Sequence, residues 1–420
     1  TVPLSLRISN ALISYVAYMG KMIWPLKLAV LYPRPLTVPI WQTVGSGFLL
    51  LCISVLVFRA ARRHPYFIVG WLWFLGTLVP VIGLVTVGAQ SMADRYTYVP
   101  LIGLFIMIAW GIPEFAQEWR HGRTALTISA GTVLLGFIVG TWWQLGYWKN
   151  SVKLFEHSLN VTSDYYIINH NLGLALAERG RFKEAISHYS RALKNKPDYA
   201  KAHNNMGIAL AQDGRPKEAV LHLSEALRLK PDYAKAHNNM GIVLARTGEF
   251  DPAISYFTEA IRLNPDYAEA HNNLGLVLAA QGRLDQAISH FTEAIRLKPN
   301  YAKAHNDLGN VLERQGKTAE AIRQYSEALR IEPDYVKALR NLGLALVRQG
   351  KSAEAITFFS EALSKNPNSA ELHNSMGVAL AQDGRFKEAI SHFSEALRLK
   401  PDYGEAKTNL KQVKQVVTTP

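Results

Sequence analysis

From Tyr166 onward the chain repeats itself every 34 residues, and no other feature restricts its fold as strongly. Gly173, Gly207, Gly241, Gly275, Gly309, Gly343 and Gly377 stand 34 apart. So do Pro197, Pro231, Pro265, Pro299, Pro333, Pro367 and Pro401, and so do Ala185, Ala219, Ala253, Ala287, Ala321, Ala355 and Ala389. Seven periods without an insertion mean seven copies of one small helical unit. A unit of this size cannot bury its apolar face alone, so neighbours stack and share a continuous core. The pattern inside the unit predicts a helix hairpin. Gly173 and Ala185 mark close approaches of its two helices, and Tyr189 with Ala192 gives a large-small packing pair. Gly180 interrupts the chain between the helices. Pro197 stops the second helix, because proline disfavours helix at the residue before it, and Asp198 offers a carboxylate N-cap for the next one.

A 34-residue unit with Gly, Ala and Pro at these places resembles the tetratricopeptide repeat, over 166–403. The resemblance implies an all-α solenoid whose first helices line a concave face. Residues 404–420 are expected to form a capping helix and tail. Ser151, Phe155, Ser158 and Ser163 fall one period before Ala185, Tyr189, Ala192 and Pro197, so 148–165 reads as a degenerate half-repeat linker.

The expected binding partner is a protein or an extended peptide. Two residues before the glycines stand Asn171, Asn205, Asn239, Asn273, Asp307, Asn341 and Ser375. A primary amide both donates and accepts, so a row of amides suits a peptide backbone in either polarity. The row resembles the asparagine ladder in the repeat domain of the O-linked N-acetylglucosamine transferase family. Asp307 and Ser375 depart from it, and bonding of the amides to neighbouring turns is the competing reading. Lys201 and Lys235 belong to a second row, with Glu269, Lys303, Lys337 and Glu371, and favour an acidic or mixed-charge partner where they face the groove. A third row, His203, His237, His271, His305 and His373, lies a full repeat apart and does not converge on one ion. Packing between paired helices explains it better. No metal site and no cofactor are expected.

The first 147 residues have a different character. Apolar stretches near 38–58, 66–88, 96–112 and 124–145 are long enough for membrane spans, giving a polytopic helical membrane domain over 1–147. Ile8, Leu12, Tyr15, Met19 and Met22 recur at helical spacing upstream, either in an interfacial helix or in a bundle helix with a polar face. The net charge of +13 looks like a nucleic-acid signal until it is divided. Residues 1–150 hold 11 Lys and Arg against 3 Asp and Glu, leaving a net +5 for the repeats. The excess therefore sits beside apolar segments, where topology accounts for it. Arg59, Arg62 and Arg63 in one loop, and Arg120 and Arg123 in another, make that side cytoplasmic and put the repeats on the far side, in periplasm or lumen. Lys21, Lys27 and Arg34 weigh against this orientation. The lone Cys52 allows no intrachain disulfide.

Met92-Ala93-Asp94-Arg95-Tyr96-Thr97-Tyr98-Val99-Pro100 resembles the acidic-Arg-Tyr-x-Tyr-x-Pro signature of the transmembrane-and-tetratricopeptide-repeat proteins, which are similar to protein O-mannosyltransferases. The resemblance implies a lipid-linked-sugar glycosyltransferase. Asp94, Arg95 and Tyr96 would then lie at the phosphate of a polyprenyl-phosphate sugar, and the repeats would recruit the acceptor. The family's catalytic carboxylate lies in an early outer loop that this chain does not contain. Beginning at Thr1, the chain reads as the C-terminal part of a longer protein, inactive by itself. The alternative is a non-enzymatic membrane scaffold that assembles an envelope or secretory complex.

Overall fold

The computed structural model describes residues 3–23, 28–29, 32–33, 37–80, 82, 90–92, 98–116, 121–162 and 164–418. The chain divides into two compact units, Thr1–Gly214 and Arg215–Pro420. Both are built of α-helices. A short antiparallel pairing of Tyr32–Pro33 with Gln90–Met92 is the strand structure among the described residues.

In the first unit, α1 (Leu4–Ile23), α2 (Ile40–Ala60), α3 (Pro65–Leu78) and α4 (Tyr98–Ala116) surround one core, which includes Tyr15, Tyr18, Trp71, Phe74, Leu78 and Leu104. Its aromatic polar atoms find partners inside: Tyr15 Oη donates to Leu75 O at 2.6 Å, and Trp71 Nε1 donates to Ser54 Oγ at 3.0 Å. The α1 face that enters this core carries Asn10, Ala11, Ser14, Tyr15 and Tyr18. It is therefore a bundle helix that turns polar residues inward, and Asn10 Nδ2 reaches Ile82 O at 3.4 Å. Helices α3 and α4 meet backbone to backbone at Gly70 and Gly103, where a Cβ on either would run into the other's carbonyl oxygen. With no Cβ at either position, the two backbones come into direct contact.

Two helices are long and apolar enough to cross a membrane: α2, with 21 residues, and α5 (Gly122–Tyr147), with 26. Apolar α3 and α4 are shorter. The four spans expected from the sequence thus reduce to two helices of spanning length among the described residues. Part of the 66–88 stretch lies outside those residues.

After α5 comes α6 (Ser151–Val161), whose first turn is capped by Asn150 Oδ1 accepting from Lys153 N at 3.0 Å. It packs on α7 (Tyr166–Ala177), and its Ser158 is buried. The hairpins then follow: α7 with α8 (Phe182–Asn195), and α9 (Ala200–Gln212), which ends the first unit, followed by α10 (Pro216–Leu229), which opens the second. Next are α11 (Ala234–Arg246) with α12 (Phe250–Leu263), α13 (Ala268–Ala280) with α14 (Leu284–Leu297), and α15 (Ala302–Arg314) with α16 (Thr318–Ile331). Then come α17 (Val336–Arg348) with α18 (Ser352–Lys365), and α19 (Ala370–Gln382) with α20 (Phe386–Leu399). Last is α21 (Gly404–Thr418).

The hairpin packing differs in detail from the expected pairs. The large residue of the second helix lies on the glycine of the first. A Cβ at Gly173 would meet the Tyr189 ring at 2.7 Å, and one at Gly275 would meet the Phe291 ring at 2.8 Å. The turn glycine between helices has φ +73° at Gly180 and +79° at Gly282, which L side chains adopt only with strain. Asp198 does not cap α9, whose N-cap is Tyr199 without a side-chain cap bond. In the same turn one repeat later, Tyr233 N bonds to Lys230 O at 3.2 Å, which closes the Lys-Pro-Asp-Tyr stretch and starts the helix past the aspartate.

Candidate peptide-binding face

The amide row lies on the first helices, and its members spend part of their bonding capacity between repeats. In the second unit Asn273 Nδ2 donates to Asn238 Oδ1 at 3.0 Å, and Asn341 Nδ2 donates to Asn306 Oδ1 at 2.9 Å. Asn409 of α21 does the same to Asn374 at 3.0 Å, so the terminal helix completes the series. Asp307 cannot donate, and here the polarity is reversed: Asn272 Nδ2 donates to Asp307 Oδ2 at 3.3 Å. In the first unit Asn205 Nδ2 meets His170 Nε2 at 3.0 Å, and Asn171 Oδ1 meets the neighbouring His170 Nδ1 at 3.2 Å. Asn239 is buried. Ser375 turns back to its own helix, donating to Glu371 O at 2.9 Å.

Apart from those of Asn171 and Ser375, these bonds join neighbouring repeats, the role that competes with peptide capture for this row. They do not exhaust it. Half-buried Asn273 and Asn341 keep an Oδ1 that accepts no bond among the described residues. Lys201 on α9 and Lys235 on α11 are exposed. The corresponding Lys303 and Lys337 line a groove of about 360 Å³ between α15 and α17, together with Asp307, Asn310, Tyr335 and Arg340.

A side-chain network runs under this groove. Asn306 Nδ2 donates to Asp307 Oδ1 at 3.2 Å. Asn341 gives a second bond, to Asn310 Oδ1 at 2.9 Å, and Tyr325 Oη donates to the same oxygen at 2.9 Å. Burial raises the Asp307 carboxyl above its ordinary value, against the pull of Lys303, Asn272 and Asn306. Burial likewise pushes Tyr335 up to about 12, with the Asp307 charge adding to it.

The histidine row joins helices. His237 Nε2 lies 2.9 Å from Pro231 O and His373 Nε2 3.0 Å from Pro367 O, tying each first helix to the turn before it. Nδ1 faces the second helix: His271 meets His290 at 3.1 Å, His373 meets His392 at 3.0 Å, and His305 meets Gln324 Oε1 at 2.8 Å. Sequence reasoning assigned the row to packing between paired helices and named neither partner, although a signal for the second was present. The partner stands 19 residues on, and where the row carries Leu339 the partner position carries Phe358. Asp94, Arg95 and Tyr96 lie outside the described residues.

The tetratricopeptide repeat matches at 170–234, 238–302, 306–370 and 370–403, together more than half of the chain. The chain belongs to the tetratricopeptide-repeat family. Among solved structures, MamA is 30% identical, with 39% of this chain and 95% of MamA covered and a TM-score of 0.35. YrrB, described as a tetratricopeptide-repeat protein with an unusual peptide-binding site, is 25% identical, with 45% and 97% covered and a TM-score of 0.35. A tetratricopeptide-repeat protein from Parabacteroides merdae is 17% identical, with 59% and 98% covered and a TM-score of 0.46. Comparison with curated protein sequences gives no match.

Proposed function

We propose that this chain is a membrane-anchored repeat protein whose first helices hold an extended segment of a partner protein. The observation that carries the reading is the amide row: Asn273 and Asn341 hold the repeats in register through Nδ2 while Oδ1 stays available to a backbone N–H. Fluorescence titration with a short Gly-Ser-Ala peptide, unmodified or N-methylated along its backbone, tests it. The N-methylated peptide lacks the donors and should bind at least about tenfold more weakly, roughly 1.4 kcal/mol. Equal binding of the two would overturn the reading.

The membrane part of the proposal rests on α2 and α5. At one end of α5 stand exposed Trp142, Trp143, Tyr147 and Trp148, and at the other His121 and Arg123, an arrangement suited to two membrane interfaces. The loop charges favour repeats on the non-cytoplasmic side. A narrower reading, acceptor delivery to a lipid-linked-sugar transferase centre, rests on the motif at Asp94, Arg95 and Tyr96. Loss of sugar transfer from a polyprenyl-phosphate donor in Arg95→Ala full-length protein would support it. Unchanged transfer would remove Arg95 from the site, and no transfer by the unaltered full-length protein would leave the non-enzymatic scaffold.

A further inference from the structure

The repeats are close copies, so positions that break the pattern stand out, and several of the breaks lie together. Asp307 stands where the row carries Asn. Asn310 stands where the other repeats carry Leu174, Ile208, Ile242, Leu276, Leu344 and Val378. Arg340 stands where five repeats carry Asn204, Asn238, Asn272, Asn306 and Asn374. All three line the groove between α15 and α17. A solenoid needs none of these changes to stack, since the neighbouring repeats stack without them.

We propose that this groove, on the peptide-binding face proposed above, is an anchoring subsite for an acidic side chain, Asp or Glu, within the bound segment, and that Arg340 is its principal contact.

Charge and bonding both point to an anion. Lys303, Lys337 and Arg340 bring three positive charges, against the single carboxylate of Asp307. That carboxylate already accepts from Asn272 and Asn306. Lys303, Lys337 and Arg340 make no ion pair among the described residues, and Arg340 Nε is buried with no hydrogen-bond partner. The nearest acid on the next first helix, Glu371, feels the Arg340 charge but bonds to Ser369. A buried guanidinium N–H without an acceptor is costly, and a carboxylate satisfies a guanidinium through two parallel bonds. Asn310 supplies a neutral donor beside it, its oxygen being occupied by Asn341 and Tyr325. The uniform amide row holds backbone without fixing register, and one charged pocket at a single place in the array fixes it.

The test uses the 420-residue chain in detergent micelles and short C-terminally amidated Gly-Ser-Ala peptides with Asp, Asn or Lys at one central position. The Asp peptide should bind at least about tenfold tighter than the Asn peptide, and the Lys peptide more weakly than either. Arg340→Gln should erase the Asp advantage, so that the Asp and Asn peptides bind alike. Lys337→Gln, at an exposed position that folding does not need, should reduce that advantage in part. An Asn peptide that binds as tightly as the Asp peptide, or an advantage that survives Arg340→Gln, overturns the subsite alone. An Asp advantage that appears only when the peptide carries a free C-terminal carboxylate also overturns it. Failure of all three peptides to bind removes the peptide-binding reading and the subsite with it.

Discussion

Asn341 donates its side-chain amide to Asn306, 35 residues earlier, at 2.9 Å. The acceptor is only 2% exposed, so water does not replace the donor when it is lost. Asn341→Ala removes this bond and the one to Asn310. Destabilisation of about 1–3 kcal/mol is expected, the usual range for a stranded buried acceptor. Urea unfolding of the chain measures it, and a change within the error of the fit would mean that the amide ladder contributes nothing to repeat stacking.

Gly275 and Phe291 make a second kind of contact. Gly275→Ala places a methyl 2.8 Å from the ring carbon Cε1, in a hairpin where both sides are buried. Overpacking of this sort costs about 1–3 kcal/mol. The double variant Gly275→Ala with Phe291→Leu should recover part of that loss, because the clash disappears. An equal loss in the single and double variants would refute the pairing.

Acid should weaken the repeats. Burial holds His271, His290 and His392 below the ordinary imidazole value, and His290 and His392 are lowered further by the facing histidine. Glu293 near the first pair, and Glu388 and Glu395 near His392, act the other way. A depressed folded pKa means that the unfolded chain binds more protons. Stability from these groups is full above about 6.5 and declines as pH falls through the lower folded values. Asp307, raised by burial, acts in the opposite sense: its contribution falls as pH rises from the ordinary 3.8 to the raised folded value. In an Asp307→Asn background, then, the midpoint of thermal unfolding should drop between pH 7.5 and pH 5.5, and adding His290→Gln with His392→Gln should flatten the drop. A profile unchanged by the two substitutions would exclude the pairs as its source.

Topology has a direct readout. In sealed inside-out membrane vesicles, protease added outside should leave the repeats intact, because the loop arginines favour a non-cytoplasmic solenoid. Digestion would invert the orientation and favour a cytoplasmic scaffold. Release of the chain by alkaline carbonate would remove α2 and α5 as membrane anchors.

Much of the repeat half was legible residue by residue. The 34-residue spacing fixed where each hairpin turns, and Gly180 and Gly282 turn there with positive φ. The histidine row was correctly read as packing between paired helices, although its partners His290, His392 and Gln324 went unnamed. Asp198 was misread because a turn bond, invisible in composition, decides whether a helix begins at the aspartate or after it. The first 147 residues were less legible. Apolar length alone cannot say that α3 ends at Leu78, or that Asn10 and Ser14 of α1 face the core.

The sequence by itself determined the repeat, its helix pairs and its family, because stacking identical units demands the same small, large and turn-forming residues at the same interval. Only the tertiary structure decided what the polar rows do. Whether Asn273 faces a partner or the next repeat, and whether Arg340 meets a counter-charge, depends on which side chains adjacent helices bring within about 3 Å. Those neighbours lie 31 or 35 residues away along the chain, and their distances are set by packing rather than by spacing.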